Sequence, residues 1–339
     1  MVFRELGKTG LKIVPIGFGG IPIQRLNQDL VNEIVNQMIV EGVNFIDTAR
    51  AYTTSEQMIG NALEGGKREQ FILATKSMSR EYESMKRDIE MSLVQLKTDY
   101  IDLYQCHLVK DLEQYQLIMS ENGAYRALLE AKAEGKIGHI GLTAHSADFL
   151  KQVIHEMPFE TLQFPYNLVE KQGEPVFEIA HQRGIGVIVM KPIAGGAIQN
   201  GALSLKFILQ NPNVTVAIPG MDEVGQVTKN MAVLSDYDQF SESESVELAE
   251  TVAALGDAFC RRCGYCLPCP QGIDIPSQFL IEGYLTRYNL ADWAIVRYNS
   301  LAVKADACVS CGICETKCPY NLPIRKMLRN VLTQFDKVL

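Results

Sequence analysis

The chain has 339 residues, of which 47% are hydrophobic and 21% charged, with a formal net charge of −8 and nine cysteines. That composition suits a globular protein of one large and one small domain, or of two medium ones, and the acidic balance excludes a general nucleic-acid or anionic-membrane surface. The opening stretch MVFRELGKTGLKIVPIGFGG is punctuated by Arg4, Glu5, Lys8 and Lys12, and no apolar run reaches bilayer length, so the expectation is a cytoplasmic chain without a membrane partner, whose thiols stay reduced.

Eight strand-like runs follow in chain order: LKIVPIGFGG from Leu11, VNFIDTA from Val43, FILATKS from Phe71, IDLYQCHLV from Ile101, IGHIGLTAH from Ile137, TLQFPYN from Thr161, GVIVMKPI from Gly186 and VTVAIPG from Val214. Most lack strict alternation, as strands buried on both faces do. Helical segments separate them. One stripe is expected from Leu30, Ile34, Val35 and Met38, another from Met85, Ile89, Leu93 and Leu96. Eight β-then-α units over residues 1–235 predict an α/β fold, a (β/α)8 TIM barrel. A doubly wound open sheet is the weaker reading, because no GxGxxG opens a helix after the first strand. The glycines Gly17–Gly20, Gly19 among them, read instead as a strand end passing near a ligand. Residues 236–258 read as an acidic linker and a helix capped near Ser241 or Ser243. Residues 259–339 form a small, mainly α-helical tail.

Catalytic groups of such a barrel stand at the C-terminal strand ends. Asp47 ends the second strand, Tyr52 follows in the next loop, Lys76 ends the third strand and His107 stands near the end of the fourth. Carbonyl reduction needs a hydride at carbon and a proton at oxygen. A tyrosine can give the proton, but its free pKa of about 10 makes it a poor shuttle near neutrality. An adjacent ammonium favours the phenolate, and a carboxylate keeps that ammonium charged and placed. A neutral histidine can orient the substrate oxygen. Taken singly, these residues also fit a salt bridge, a packing ring and a core histidine; taken together they favour catalysis. His145 follows the fifth strand and is a weaker pocket candidate, while His139, His155 and His181 read as helix or packed-strand residues. Gln24 and Arg25 either line the mouth or cap the next segment.

The tail holds two cysteine runs, 48 residues apart. The second is Cys308-x2-Cys311-x2-Cys314-x3-Cys318-Pro319, the bacterial ferredoxin spacing for a 4Fe-4S cluster, in which the fourth cysteine serves the other cluster. The first, Cys260, Cys263, Cys266 and Cys269-Pro270, has x2 before its last cysteine. By analogy Cys260, Cys263, Cys266 and Cys318 hold one cluster, and Cys308, Cys311, Cys314 and Cys269 the other. Structural zinc favours cysteine pairs a dozen or more residues apart, and disulfides need an oxidising compartment; both fit less well. Cys106, alone in a strand, reads as a buried small hydrophobe. Arg261 and Arg262 either offset a negative cluster or face water, and Tyr284, Trp293 and Tyr298 read as helix-packing residues.

The chain resembles the aldo-keto reductase family over residues 1–235: FRELGKTGLKIVPIGFGG is similar to that family's opening hairpin and first strand, and GVNFIDTARAY, FILATKS and TDYIDLYQCH to its catalytic segments. The resemblance implies a tetrad of Asp47, Tyr52, Lys76 and His107 and a nicotinamide bound without a Rossmann fold. It implies carboxamide contacts from Gln163 and from Thr143, where the family often has serine; Ala144 stands where asparagine is common. Met190 takes the place of a stacking aromatic. The segment IPGMDEVGQVTKN resembles the phosphate loop, with Pro219 and Asn230 in place, but Gly220 and Gln226 replace the cations expected for a 2′-phosphate. NADP and NAD therefore both stay open, with Lys191 and Lys229 as compensating cations or solvated lysines. With its tail, the chain is similar to aldo-keto reductases fused to a ferredoxin-like module.

The expected function is nicotinamide-dependent reduction of a small aldehyde or ketone, or the reverse alcohol oxidation, with two 4Fe-4S clusters attached. The alternatives are an electron-transfer protein whose barrel is a docking platform for a redox partner protein, and clusters that only brace the tail. Hydride carries two electrons and a cluster passes one, and the sequence has no flavin fingerprint, so the clusters are expected to stand outside carbonyl reduction.

Overall fold

The computed structural model describes residues 2–256 and 259–339. It divides into two compact units, one of Met1–Asn167, Lys171–Pro192 and Asn200–Gln239, the other of Leu168–Glu170, Ile193–Gln199 and Phe240–Leu339. The expected boundary at residue 258 lies outside the described residues.

In the first unit an antiparallel hairpin, β1 (Arg4–Glu5) and β2 (Lys12–Ile13), precedes eight parallel strands. These are β3 (Phe18–Gly19), β4 (Phe45–Asp47), β5 (Ile72–Ser77), β6 (Ile101–Cys106), β7 (Ile137–Thr143), β8 (Thr161–Pro165), β9 (Gly186–Met190) and β10 (Val216–Ala217). They pair in sequential order. Parallel bridges Ile16↔Ala217 and Gly19↔Gly220 join the first strand to the last, closing the barrel. At this seam Gly19 donates to the Pro219 carbonyl at 2.9 Å, and a Cβ on Gly19 would stand 2.7 Å from the Ile218 carbonyl oxygen, so only glycine fits. All eight expected runs carry a strand, and the first also carries β2.

The outer helices follow the apolar stripes with one correction. Helix Gln28–Glu41 buries Val31, Ile34, Val35 and Met38, and Leu30 is only partly covered. Val31, not Leu30, completes the i, i+3, i+4, i+7 pattern. Helix Tyr82–Leu96 buries Met85, Ile89, Leu93 and Leu96 as expected.

Inside the barrel, the two-residue repeat of a strand stacks side chains in layers. Phe45, Ala74, Leu103, Ile188 and Val216 form an apolar layer with Leu6 and Ile13 from the hairpin. Two residues further along the same strands or just past their ends stand Asp47, Lys76, Gln105, Met190 and Ile218. The interior is thus apolar toward the hairpin and polar toward the C-terminal strand ends.

In the second unit, Ser241 caps helix Glu242–Gly256 through a capping box: Ser241 Oγ accepts from Glu244 N at 3.2 Å, and the Glu244 carboxylate accepts from Ser241 N at 2.7 Å. Helices Ile275–Thr286, Ala291–Asn299, Ile313–Thr316 and Ile324–Phe335 follow. Their core includes Ile275, Phe279, Tyr298, Leu328 and Phe335, with Tyr298 stacked on Phe335 at 3.9 Å. Tyr284 packs on Trp293 at 4.4 Å, so all three aromatics are packing residues.

The two cysteine runs repeat in backbone as well as in sequence. Arg262 and Gly264, either side of Cys263, have φ of 56° and 84°; Ser310 and Gly312, either side of Cys311, have 57° and 79°. Three residues after the fourth cysteine the chain is again left-handed, at Gly272 (75°) and Asn321 (51°). Three residues on again, helices Ile275–Thr286 and Ile324–Phe335 begin. The extra residue before Cys318 lengthens the spacing from 48 to 49 and leaves the pattern intact.

Candidate functional site

The polar layer of the barrel is a connected set. Lys76, fully buried in β5, donates to Asp47 Oδ2 at 2.5 Å and to the Thr48 carbonyl at 2.9 Å. Gln105 of β6, in register with Lys76, donates to Asp47 Oδ1 at 3.3 Å and to Gln163 Oε1 at 2.9 Å. Gln163 also hydrogen-bonds Asp47. Burial pushes the Asp47 carboxyl up, against the pull of the Lys76 charge, and pushes the Lys76 ammonium down, against the pull of Asp47. Taking two ions out of water costs several kcal/mol each, on the order of what their contact returns. Gln105 satisfies the Asp47 oxygen that the lysine does not reach.

Tyr52 follows β4 and is half-buried. Lys76 Nζ stands 4.9 Å from its ring centroid, and the His107 ring meets it edge-on, centroids 6.0 Å apart at 88°. The structure thus brings Asp47, Tyr52, Lys76 and His107 together. The backbone is left-handed immediately after three of the expected site residues of the barrel: Thr53 after Tyr52 (φ 36°), Leu108 after His107 (52°) and Lys191 after Met190 (55°). Such conformations cost of order 1–3 kcal/mol and persist where the surroundings fix them. At Leu108 the fixing is visible, since its N–H donates to Thr143 Oγ1 at 2.7 Å and Arg80 holds the His107 and Leu108 carbonyls. At Tyr52 the Thr53 hydroxyl donates to Gln24 Oε1 at 2.7 Å, so Gln24 steadies the loop.

Of the expected cofactor residues, Thr143, at the end of β7, and Gln163, midway along β8, are buried and in register. Met190, Lys191, Gly220, Gln226 and Asn230 are partly exposed, while Gly19 and Pro219 are buried in the seam. Gln226 exchanges hydrogen bonds with Asp222 at 2.9 Å, backbone and side chain. Arg25 pairs with the same carboxylate, its Nε at 3.1 Å. Burial works against the Asp222 charge, but the Arg25 and Gln226 hydrogen bonds outweigh it and hold the carboxyl below its usual range. Arg25 is therefore tied through Asp222 to the IPGMDEVGQVTKN segment. His145 is half-buried after β7. His139 pairs with Glu160 from within β7, His181 lies in helix Glu174–Arg183, and His155 is an exposed turn residue.

Sequence reasoning missed Gln105. Its signal was there: Gln105 stands two residues after Leu103, as Asp47 follows Phe45 and Lys76 follows Ala74.

The cysteines of the second unit surround two cavities. Cys260, Cys263, Cys266 and Cys318 line one, with Ile275, Phe279 and Tyr320. Cys269, Cys308, Cys311 and Cys314 line another, with Ile275, Arg325 and Leu328. The fourth cysteine of each run joins the other run's first three. Among the described residues, no three His, Cys, Asp or Glu side chains close on a single metal ion. Burial pushes the Cys260 thiol up to about 11 and that of Cys266 to about 12, so bound metal must displace protons there. Arg261 is buried, donates to the Val169 carbonyl at 2.7 Å and lies over the Tyr320 ring, and Arg262 pairs with fully buried Glu170. Neither arginine faces open water. Burial likewise pushes the Cys106 thiol up to about 12.

Comparison with known proteins places both units. Residues 15–202 match the family model described as aldo/keto reductase family, and residues 259–323 match that of a 4Fe-4S dicluster domain. L-galactose dehydrogenase of Arabidopsis thaliana is 26% identical over 302 residues, 74% of this chain and 93% of the relative. Aldo-keto reductase YhdN of Bacillus subtilis is 33% identical over 195 residues, 51% of this chain and 56% of the relative. Among solved structures, a putative aldo-keto reductase of Pseudomonas aeruginosa, PA4992, superposes with a TM-score of 0.61 at 27% identity, covering 70% of this chain and 95% of that one.

Proposed function

Because the chain belongs to the aldo/keto reductase family, and is thus an oxidoreductase with a 4Fe-4S dicluster domain at residues 259–323, we propose that it reduces a small aldehyde or ketone with a nicotinamide, or runs the reverse alcohol oxidation. The observation that carries this reading is the buried Lys76–Asp47 pair set beside the Tyr52 ring. Tyr52 gives its hydroxyl proton to the substrate oxygen. The Lys76 ammonium favours the phenolate left behind, Asp47 holds that ammonium, and Gln105 holds Asp47. His107, edge-on to Tyr52, orients the carbonyl oxygen between them.

The nicotinamide, when bound, supplies or accepts the hydride. The residues present fit it at two places. Thr143 Oγ1 accepts from Leu108 and keeps its own proton to donate. Partly exposed Met190 ends β9, and partly exposed Gly220 and Asn230 follow β10. NAD and NADP are both compatible: Arg25 brings a cation to the loop, and Asp222 brings the carboxylate that engages it.

The two cysteine quartets fit two 4Fe-4S clusters, each group a one-electron centre when bound. Four cysteines line each cavity, and left-handed residues stand before and after the second cysteine of each run. Since hydride moves electrons in pairs, we assign carbonyl reduction to the barrel alone. The docking-platform reading is less favoured, because a barrel without chemistry gains nothing from a buried ion pair.

The test is anaerobic purification followed by NAD(P)H oxidation across aldehydes, ketones and sugars. Tyr52→Phe is expected to lower turnover by about two to four decades with cofactor binding retained. Undiminished turnover in that variant would remove Tyr52 from the chemistry.

A further inference from the structure

Within the second unit lies a cavity of about 390 Å³ that neither cysteine quartet occupies. One wall is apolar: Phe259, Phe279, Leu280, Met327 and Val331. Cys260 and Arg262 form the inner end, and Glu282, Arg287, Lys326 and Asn330 the rim.

The polar lining is rich in donors. Arg262, Arg287, Lys326 and Asn330 all carry N–H groups; the one carboxylate, Glu282, is already engaged by Arg287 at 3.5 Å and by Asn330 at 3.4 Å. Glu170 neutralises Arg262, whose side chain is only 8% exposed. Lys326 enters no ion pair among the described residues, and one positive charge is left at the rim. The placing of Arg287 has its own cost. Gly283 sits inside helix Ile275–Thr286, where glycine is about 1 kcal/mol less favourable than alanine. A Cβ there would stand 2.2 Å from Arg287 Nη2, so in this arrangement the guanidinium lies across the helix at the glycine. At the inner end Arg262 holds a left-handed backbone, φ 56°.

An apolar wall, a surplus of donors and one uncompensated cation describe a site for an amphipathic monoanion. We propose that this cavity binds a small organic carboxylate with an aromatic or branched apolar body, its carboxylate at Lys326 and Arg287 and its body against Phe279 and Val331. The volume falls in the range of small-molecule sites. The ligand would lie against Cys260, so occupancy would be felt at the first quartet. This site is separate from the barrel's polar layer and does not depend on the reductase reading.

The experiment is isothermal titration of the full-length, anaerobically iron-loaded protein with benzoate, phenyl phosphate and benzyl alcohol. Benzoate is expected to bind saturably, and benzyl alcohol about ten-fold or more weakly, the worth of one charge-assisted hydrogen bond. Lys326→Glu, an exposed change, and Met327→Trp, which fills the cavity, should each weaken benzoate by about ten-fold or more. Tyr52→Phe should leave it unchanged, which separates this site from the barrel. Absence of saturable benzoate binding, binding of phenyl phosphate alone, equal binding of the alcohol, or binding indifferent to Lys326→Glu would each overturn the assignment.

Discussion

Lys76→Met is the sharpest perturbation of the proposed site, because it separates stability from chemistry. Lys76 is fully buried and gives Asp47 its shortest contact, and Asp47 is 2% exposed. Removing the ammonium leaves a buried carboxylate with only Gln105 and Gln163 as donors. Breaking a buried pair from one side costs about 3–5 kcal/mol. Asp47→Asn alone should cost about as much, for the mirror reason. The double variant Lys76→Met/Asp47→Asn removes both charges and should recover to within about 1–2 kcal/mol of the parent. Activity should not recover, since nothing then stabilises the Tyr52 phenolate; a loss of about two to four decades is expected. The pH dependence has a sign. With Lys76 gone, burial acts on Asp47 against the Gln105 and Gln163 hydrogen bonds alone, so its folded pKa stands further above the unfolded value of about 3.9. Folded protein then holds the proton more tightly, and stability falls as pH rises through that window. The deficit of Lys76→Met should therefore be largest at neutral pH and shrink toward about pH 3.9. Urea unfolding followed by far-ultraviolet circular dichroism, beside turnover, reads both quantities. Emission from Trp293, in the second unit, reports that unit separately. A double variant that regains turnover with its stability would refute the reasoning.

Cys318→Ser and Cys260→Ser line the same cavity and should remove the same cluster, taking iron from about eight to about four per chain; losses that add up in the double variant would separate them. Glu160 is opposed by burial, but His139, Lys132 and the Ile140 N–H together hold its carboxyl down to about 2. Its stabilisation is therefore present above the ordinary glutamate range of about 4.3 and lost as pH falls toward about 2, so Glu160→Gln should flatten the acid limb of a stability-against-pH curve. Cys106, with its thiol pushed up to about 12, should resist iodoacetamide at pH 8 in folded protein and react only on unfolding; labelling at the rate of the tail cysteines after iron removal would contradict its burial.

Much of the barrel was legible because parallel strands buried on both faces read as near-continuous apolar runs. The slip from Val31 to Leu30 moved a helix stripe by one position, about 100° around the axis. Gln105 was passed over because an amide inside a strand looks like a break in the run. Only the shared two-residue step from Leu103, Phe45 and Ala74 marks it as part of one layer. Arg25 and Asp222 are 197 positions apart, and no local pattern pairs them; the closing of β3 on β10 does. The burial of Arg262 was hidden for the same reason, since its partner Glu170 lies 92 positions away. The left-handed residues around Cys263 and Cys311 were half legible. Glycine announces two of them, whereas Arg262 and Ser310 carry no such mark.

The arrangement of the polar layer bears on what the barrel is for. Every group assigned to the proton path, Asp47, Tyr52, Lys76, Gln105 and His107, lies in the first unit, and all eight quartet cysteines lie in the second. A barrel serving only as scaffold would be at least as stable with Asp47 and Lys76 replaced by apolar residues of similar volume, a change that is often neutral or stabilising by about 1–4 kcal/mol. The layer beneath shows what such filling looks like, with Phe45, Ala74 and Leu103 one step down the same strands. The two charges stand at the C-terminal strand ends, and they are wired by two amides so that the lysine charge stays beside the Tyr52 ring. Packing gives no reason for that placement; moving a proton at the tyrosine oxygen does.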